Sequence, residues 1–336
     1  MQGTDNLHLL PAVVAAALAL APALAAAETD PKFEYSKAEA TKQGPQEGAP
    51  PPVEWKAQAK AGGVLTEGNS QARSATFGVA ASRKEGANKA SLEGNLAYGK
   101  SRVLQPLLDP TMPMVVDGLA RSNITSTNNW LAKARYDRFF TTNNAGYVSA
   151  QSASDLVAGK AFTGGGQIGY SRQLLKNDTH LVVAEIGYDF SYESYVAPPA
   201  GGKTIDPVSI HSARLFAGET LTLSKATGIT ASVEALLNLN KEGKALNHVD
   251  GSAGVDAFKD TRIIGKAALT TTLLKSLSIA CGLTVRYDQN PAPLPLVSLI
   301  PKGSTLSPTA FASTMGVPFA ETTDTQAEAT LIYTFF

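Results

Sequence analysis

The chain is poor in the residues that carry catalysis, metals and cross-links. Among its 336 residues there is one cysteine, Cys281, so no intrachain disulfide can form and cysteine offers no metal-ligand set. There is no phosphate loop, no dinucleotide fingerprint and no zinc-ligand spacing. Charge is balanced, with 29 basic and 29 acidic side chains, and neither an anionic surface nor a nucleic acid is an expected partner. Long apolar runs are also scarce. Only Leu9 to Ala27 comes near the ~20 residues of a membrane-spanning helix, which excludes a helical bundle in a membrane.

That single run, broken by Pro11 and Pro22 and closed by Ala25, Ala26 and Ala27, reads as the core of a secretory signal with a small-residue cleavage site before Glu28. A membrane anchor is the alternative, because no Lys or Arg precedes the run. We therefore expect a signal peptide at 1–27. Residues 28–53, rich in Pro, Gly, Lys and Glu without a hydrophobic period, form a flexible lead-in. A barrel domain is expected over 54–336.

From Trp55 onward the dominant signal is period two. Val182, Ala184, Ile186, Tyr188, Phe190 and Tyr192 oppose Glu185, Gly187, Asp189, Ser191 and Glu193. Leu277, Ile279, Cys281, Leu283, Val285 and Tyr287 oppose Ser278, Thr284, Arg286 and Asp288. Either a soluble sandwich or a membrane barrel produces such alternation. Small residues dominate the apolar faces, where a sandwich core would need bulk. Strands are long, and Tyr98, Tyr136, Tyr192, Tyr287 and Phe335 fall near strand ends, where interfacial aromatic belts sit. The expected fold is all-β: an antiparallel transmembrane β-barrel, monomeric, of about 12 strands, with ten and fourteen as alternatives.

Strands are expected at 55–66, 71–83, 89–101, 121–139, 145–160, 166–174, 179–194, 209–223, 229–240, 257–273, 277–288 and 323–336. The long connections 102–120, 195–208, 241–256 and 289–322 then all follow odd-numbered strands and share one side, as the outer loops of such barrels do. The loops 102–120 and 289–322 are apolar (Val103, Leu104, Met112, Leu294, Leu296, Phe311), which suits either a hydrophobic partner surface or mutual packing over the barrel mouth.

The inward face would carry charges of both signs: Lys133, Arg135, Asp137, Glu185, Asp189, Glu193, Arg214, Glu234, Lys266, Arg286 and Glu328. These either line a hydrated pore for small solutes or pair and plug the interior, since an unpaired charge in a poorly hydrated space is costly. Twelve strands lie between filled and open barrels. Histidines are few. His180, His211 beside Ser212, and His248 near Asp250 have no spacing that would serve a barrel lipase or acyltransferase. No catalytic residues, cofactor or metal are therefore expected.

The last strand carries the assembly signal. Tyr333 and Phe335 form the spaced aromatic pair, with Phe336 added, while Thr334 occupies the position usually aromatic before a terminal Phe. Outer-membrane lipid and the barrel-assembly machinery are the expected partners.

Several segments together resemble a family. These are Thr66-Glu67-Gly68-Asn69-Ser70, Arg135-Tyr136-Asp137-Arg138-Phe139-Phe140, Gly166 to Tyr170 followed by Leu181 to Tyr195, Tyr287-Asp288 with Asn290-Pro291, and Thr323 to Phe336. They look like the YdiY-like family of salt-induced outer-membrane proteins, a family of unknown function. The resemblance implies an outer-membrane barrel and no catalytic residues. The long loops at 102–120 and 289–322 depart from it.

Overall fold

The computed structural model describes residues 53–66, 71–108, 116–196, 206–246, 253–292 and 320–335. The expected signal peptide, nearly all of the lead-in, the loop histidine His248 and Phe336 lie outside these residues, as does most of the loop 289–322.

Alternation becomes a closed wall. The strands are β1 (Val53–Thr66), β2 (Gln71–Glu85), β3 (Asn88–Leu108), β4 (Val116–Thr141), β5 (Asn144–Asp155), β6 (Lys160–Lys176), β7 (His180–Tyr195), β8 (Val208–Thr222), β9 (Thr227–Asn238), β10 (Glu242–Leu246), β11 (Ala253–Val255), β12 (Arg262–Leu274), β13 (Leu277–Asp288) and β14 (Thr323–Thr334). Twelve of them form a closed antiparallel barrel, β1 to β9 in sequence, then β12, β13 and β14, which pairs back onto β1. Strands β10 and β11 form a separate hairpin inside the β9–β12 connection. No helix occurs among the described residues.

The structure corrects three expected connections. The loop placed at 102–120 is largely strand: β3 and β4 stay paired to Pro106↔Leu119 and Leu108↔Val116. Pro106, Gly118 and the apolar pairs Val103-Leu104 and Leu107-Leu108 hid that pairing, because they break the polar alternation. The loop placed at 241–256 contains the β10–β11 hairpin. Strand β6 begins at Lys160, six residues before its expected start at 166, across a glycine run that carries no side-chain pattern.

All five connections on the terminal side are tight, and local hydrogen bonds explain them. Gly86 has φ 55 in the β2–β3 turn, a conformation costly for other residues. The Asn177 side-chain oxygen accepts from the backbone N–H of Thr179 and His180 at 3.0 and 2.7 Å, closing β6–β7 as an Asx turn. The Ser224 hydroxyl accepts from Ala226 and Thr227 in β8–β9.

Outward positions are apolar and exposed, among them Leu92, Leu96, Val148, Ile168, Ile186, Leu215, Val233, Leu283 and Leu331. Cys281 lies on this face. Aromatics frame it in two bands, Trp55, Tyr136, Tyr170, Tyr333 and Phe335 toward the terminal end and Tyr98, Trp130, Phe162, Tyr192 and Tyr287 toward the other. Along β13, the ten steps from Leu277, opposite Tyr333, to Tyr287 span about 26 Å at ~3.4 Å per residue and ~40° tilt, close to the apolar height of a barrel in a bilayer. The inside is the reverse of a soluble core. It is polar and charged, with small apolar groups at the ends: Val183 and Phe216 with Phe139 and Leu181 at the terminal end, and Val208 and Ile210 with Tyr195 at the far mouth.

Candidate functional site

All eleven expected interior charges occupy inward register positions on the barrel strands. Because successive side chains alternate, Arg135 and Asp137 on β4 share one face with Lys133, and Glu185, Asp189 and Glu193 share one face of β7. Closure of the wall then brings the faces together.

Two layers of contacts result. In the lower layer, Arg135 on β4 binds its neighbour Asp137 and, across β5 and β6, Glu185 on β7, both at 2.7 Å. Glu185 in turn holds Arg214 on β8 at 2.8 Å, and Arg214 also pairs with Glu234 on β9. Arg214 is fully buried, and Arg135 and Glu185 nearly so. Tyr147 on β5 lies among them. Its ring centre is 4.0 Å from the Arg135 guanidinium carbon, and its hydroxyl accepts from Arg214 Nη1 at 2.7 Å. Room for that ring comes from Gly169 and Gly187, where an added Cβ would stand 2.6 and 2.7 Å from the Tyr147 hydroxyl. Above Tyr147, Asp189 accepts from Gln167 Nε2 at 2.9 Å and from the Ser191 hydroxyl at 2.8 Å.

The upper layer crosses the mouth. Glu193 receives Lys160 of β6 at 3.1 Å and Arg262 of β12 at 2.8 Å. Lys160 reaches on to Asp288 of β13 at 3.6 Å, with β7, β8, β9 and β12 between them in the wall. Over this layer the β10 residue Glu242 accepts from Asn238 Nδ2 at 3.2 Å, and the Asp260 N–H donates to Asn238 Oδ1 at 3.0 Å. Burial, together with the adjacent Asp260 carboxyl, pushes the Glu242 carboxyl up, and burial raises Asp260 as well.

The remaining expected residues stand apart from these layers. Arg286 on β13 meets Asp324 at 3.3 Å and donates to Gln326 at 2.9 Å. Glu328 on β14 has Lys60, Lys266 and Arg286 within electrostatic reach. Tyr333 and Phe335 face outward, with ring centres 5.1 Å apart in an edge contact, and the Phe335 N–H donates to the Ala57 carbonyl across the closing seam at 3.0 Å. Of the histidines, the His180 Nδ1 meets Glu219 at 2.6 Å, and His211 contacts the Tyr188 hydroxyl on the outer face. No group of three or more His, Cys, Asp or Glu able to hold a metal ion occurs among the described residues.

Sequence reasoning did not single out Tyr147, Lys160, Arg262, Asp260 or Glu242. Arg262 lies four residues before Lys266 and so on the same strand face, a signal that was present. Tyr147 is inward by alternation in β5. Lys160 and Glu242 sit at strand starts that carry no period.

No curated protein matches the sequence. Several solved structures align over most of the chain at low identity. The NanC porin matches at 7% identity, covering 83% of this chain and 97% of its own, with TM-score 0.38. The translocator domain of the autotransporter NalP from Neisseria meningitidis matches at 12%, covering 87% and 90%, also at 0.38. The Pseudomonas putida toluene transporter TodX matches at 9%, covering 85% and 90%, again at 0.38. At that level of similarity they carry no functional argument. Residues 59–295, well over half of the chain, match a single family, and the chain belongs to it: the family described as protein of unknown function, DUF481.

Proposed function

We propose that this protein is a non-enzymatic, monomeric barrel of the bacterial outer membrane, inserted by the barrel-assembly machinery with its long connections outside, and that its interior is closed rather than conducting. The observation carrying this reading is the Lys160–Asp288 pair at 3.6 Å, a contact between strands nearly opposite in the wall. Together with Arg262–Glu193 and the Arg135–Glu185–Arg214 chain it places paired charges across the path that a solute would take. Buried pairs of this kind hold when both members are present and leave costly orphans when one is lost. The role is then structural, in an envelope under osmotic or salt stress, as the YdiY-like resemblance suggests. It needs no cofactor.

A narrow pore for small solutes is the second reading. It is favoured by the wall β1–β4, whose inward Ser74, Thr76, Ser101 and Ser126 hydroxyls have no hydrogen-bond partner. Planar-bilayer recording of the purified barrel distinguishes the two. We expect no steady single-channel current from the native protein and measurable conductance from Lys160→Ala combined with Arg262→Ala. Steady conductance from the native barrel would overturn the closed reading.

A further inference from the structure

The barrel closes unevenly. Strand β14 pairs with β13 through eleven residues, from Thr323↔Tyr287 to Tyr333↔Leu277. Its pairing with β1 covers only five, from Thr334↔Gln58 to Thr330↔Gly62. Strand β1 itself does not stop there: Gly63 to Thr66 continue in register with β2 as far as Thr66↔Ala72. Beyond those five, Gly63–Thr66 and Gln326–Ala329, which the same register would set opposite one another, remain strand without forming further pairs. The split begins just past Thr330, opposite Ala280, and among the described residues extends to Gln326, opposite Thr284. It occupies the half of the wall nearer the long connections. Unpaired backbone at membrane depth is tolerated where it lines a cavity or meets a polar group, not where it faces lipid alone.

A second observation lies just inside the split. Glu328 is 8% exposed, and neither carboxylate oxygen has a hydrogen-bond partner. Gln326 Nε2 and the hydroxyls of Thr330 and Thr76 are also buried without partners. Lys60, Lys266 and Arg286 lie within electrostatic reach of Glu328, so a further cation would enter a site that already holds three. What these groups lack is directional hydrogen bonding of both kinds: donors for Glu328, an acceptor for Gln326, either for the threonines. Neighbouring hydroxyls on one ligand supply both. Outside the split, the flanking outward residues Ala61, Gly63, Ala327 and Ala329 are small and open onto the lipid phase.

We propose that the β1–β14 seam is a lateral portal through which a sugar-headed amphiphile of the outer leaflet places its head beside Glu328 while its chains remain in the bilayer. The leaflet assignment rests on the long connections being outside. The portal itself does not depend on whether the barrel conducts along its axis.

Cysteine pairs in a Cys281→Ser background test the seam in phosphatidylcholine vesicles. Ala61→Cys with Leu331→Cys bridges a registered pair and should oxidise readily to a disulfide. Gly63→Cys with Ala329→Cys lies in the split and should remain reduced under the same conditions. Equal oxidation of both pairs would show a continuous wall and overturn the portal. Amide exchange on the native chain reads the same point without substitution. The amides of Gln326–Ala329 that face β1 should exchange at least about tenfold faster than those of Thr330–Thr334, and equal protection would also sink the portal. For the ligand, photoactivatable dodecyl maltoside is compared with a photoactivatable phosphocholine of the same chain length. The maltoside should label β1 and β14 peptides, and Glu328→Gln should cut that labelling several-fold while leaving phosphocholine labelling unchanged. Indistinguishable labelling by the two probes, or no effect of Glu328→Gln, overturns the sugar head even if the seam is open.

Discussion

Arg135 of β4 and Glu185 of β7 meet at 2.7 Å across two intervening strands, and Glu185 holds Arg214 with its other oxygen. One carboxylate thus serves two buried guanidinium groups. Glu185→Ala leaves both without their shared partner and should cost about 3–5 kcal/mol. Urea unfolding in vesicles, followed by tryptophan fluorescence, measures it. A loss below about 1 kcal/mol would mean that the chain of pairs does not hold the interior together.

Tyr147 needs the two glycines beneath it. An alanine Cβ at Gly169 would stand 2.5 Å from the Ile186 carbonyl and 2.6 Å from the Tyr147 hydroxyl, so the backbone itself must shift. At Gly94 the nearest atom, a Val79 methyl, is 3.5 Å away, an ordinary contact. Gly169→Ala should destabilise the barrel by roughly 1–3 kcal/mol, whereas Gly94→Ala should be close to neutral. Paired urea midpoints decide it.

The Glu242–Asp260 pair makes the β10–β11 hairpin sensitive to pH. Both carboxyls are raised, Glu242 to about 8 and Asp260 to about 6, mainly by burial. The folded hairpin therefore holds more protons than the unfolded one between the ordinary carboxyl range and about pH 8, so its stability is greatest in acid and falls as pH rises through that window. Amide exchange of Glu242–Leu246 should show protection declining from pH 5 to pH 9, and Glu242→Gln should flatten most of the decline. An unchanged slope in that variant would assign the pH response elsewhere.

At the other end, the Phe335 N–H bonds to the Ala57 carbonyl and its ring packs on Tyr333. Deleting Phe335 and Phe336 together should prevent insertion, while Phe336→Ser alone should insert. Heat-modifiable migration on gels scores the folded barrel. If the single change blocks insertion as completely as the deletion, Phe336 and not the Tyr333–Phe335 pair carries the assembly signal.

Much of the wall could be read directly from residue order. The run Val182 to Glu193 assigns each β7 side chain to lipid or interior, and the same period places Lys133, Arg214, Lys266 and Glu328 inside. Where period two fails, reading fails. Pro106 and the apolar pairs around it concealed the outward extension of β3 and β4, and the glycines at 164–166 concealed the start of β6, because a strand made by backbone pairing alone leaves no side-chain signature.

Alternation determined the two faces of each strand, since side-chain direction follows from residue order, and the small apolar residues, strand length and aromatic placement turned that alternation into a barrel with a polar interior. Only the closed barrel decided which charges meet. Glu193 finds Lys160 and Arg262, Lys160 finds Asp288, and Glu328 is left beside a seam that β1 and β14 do not fully close. Apart from Glu193–Lys160, which joins the adjacent β7 and β6, those relationships join strands that are not neighbours along the chain, and they depend on strand tilt and register around the whole circumference, which no local pattern of residues encodes.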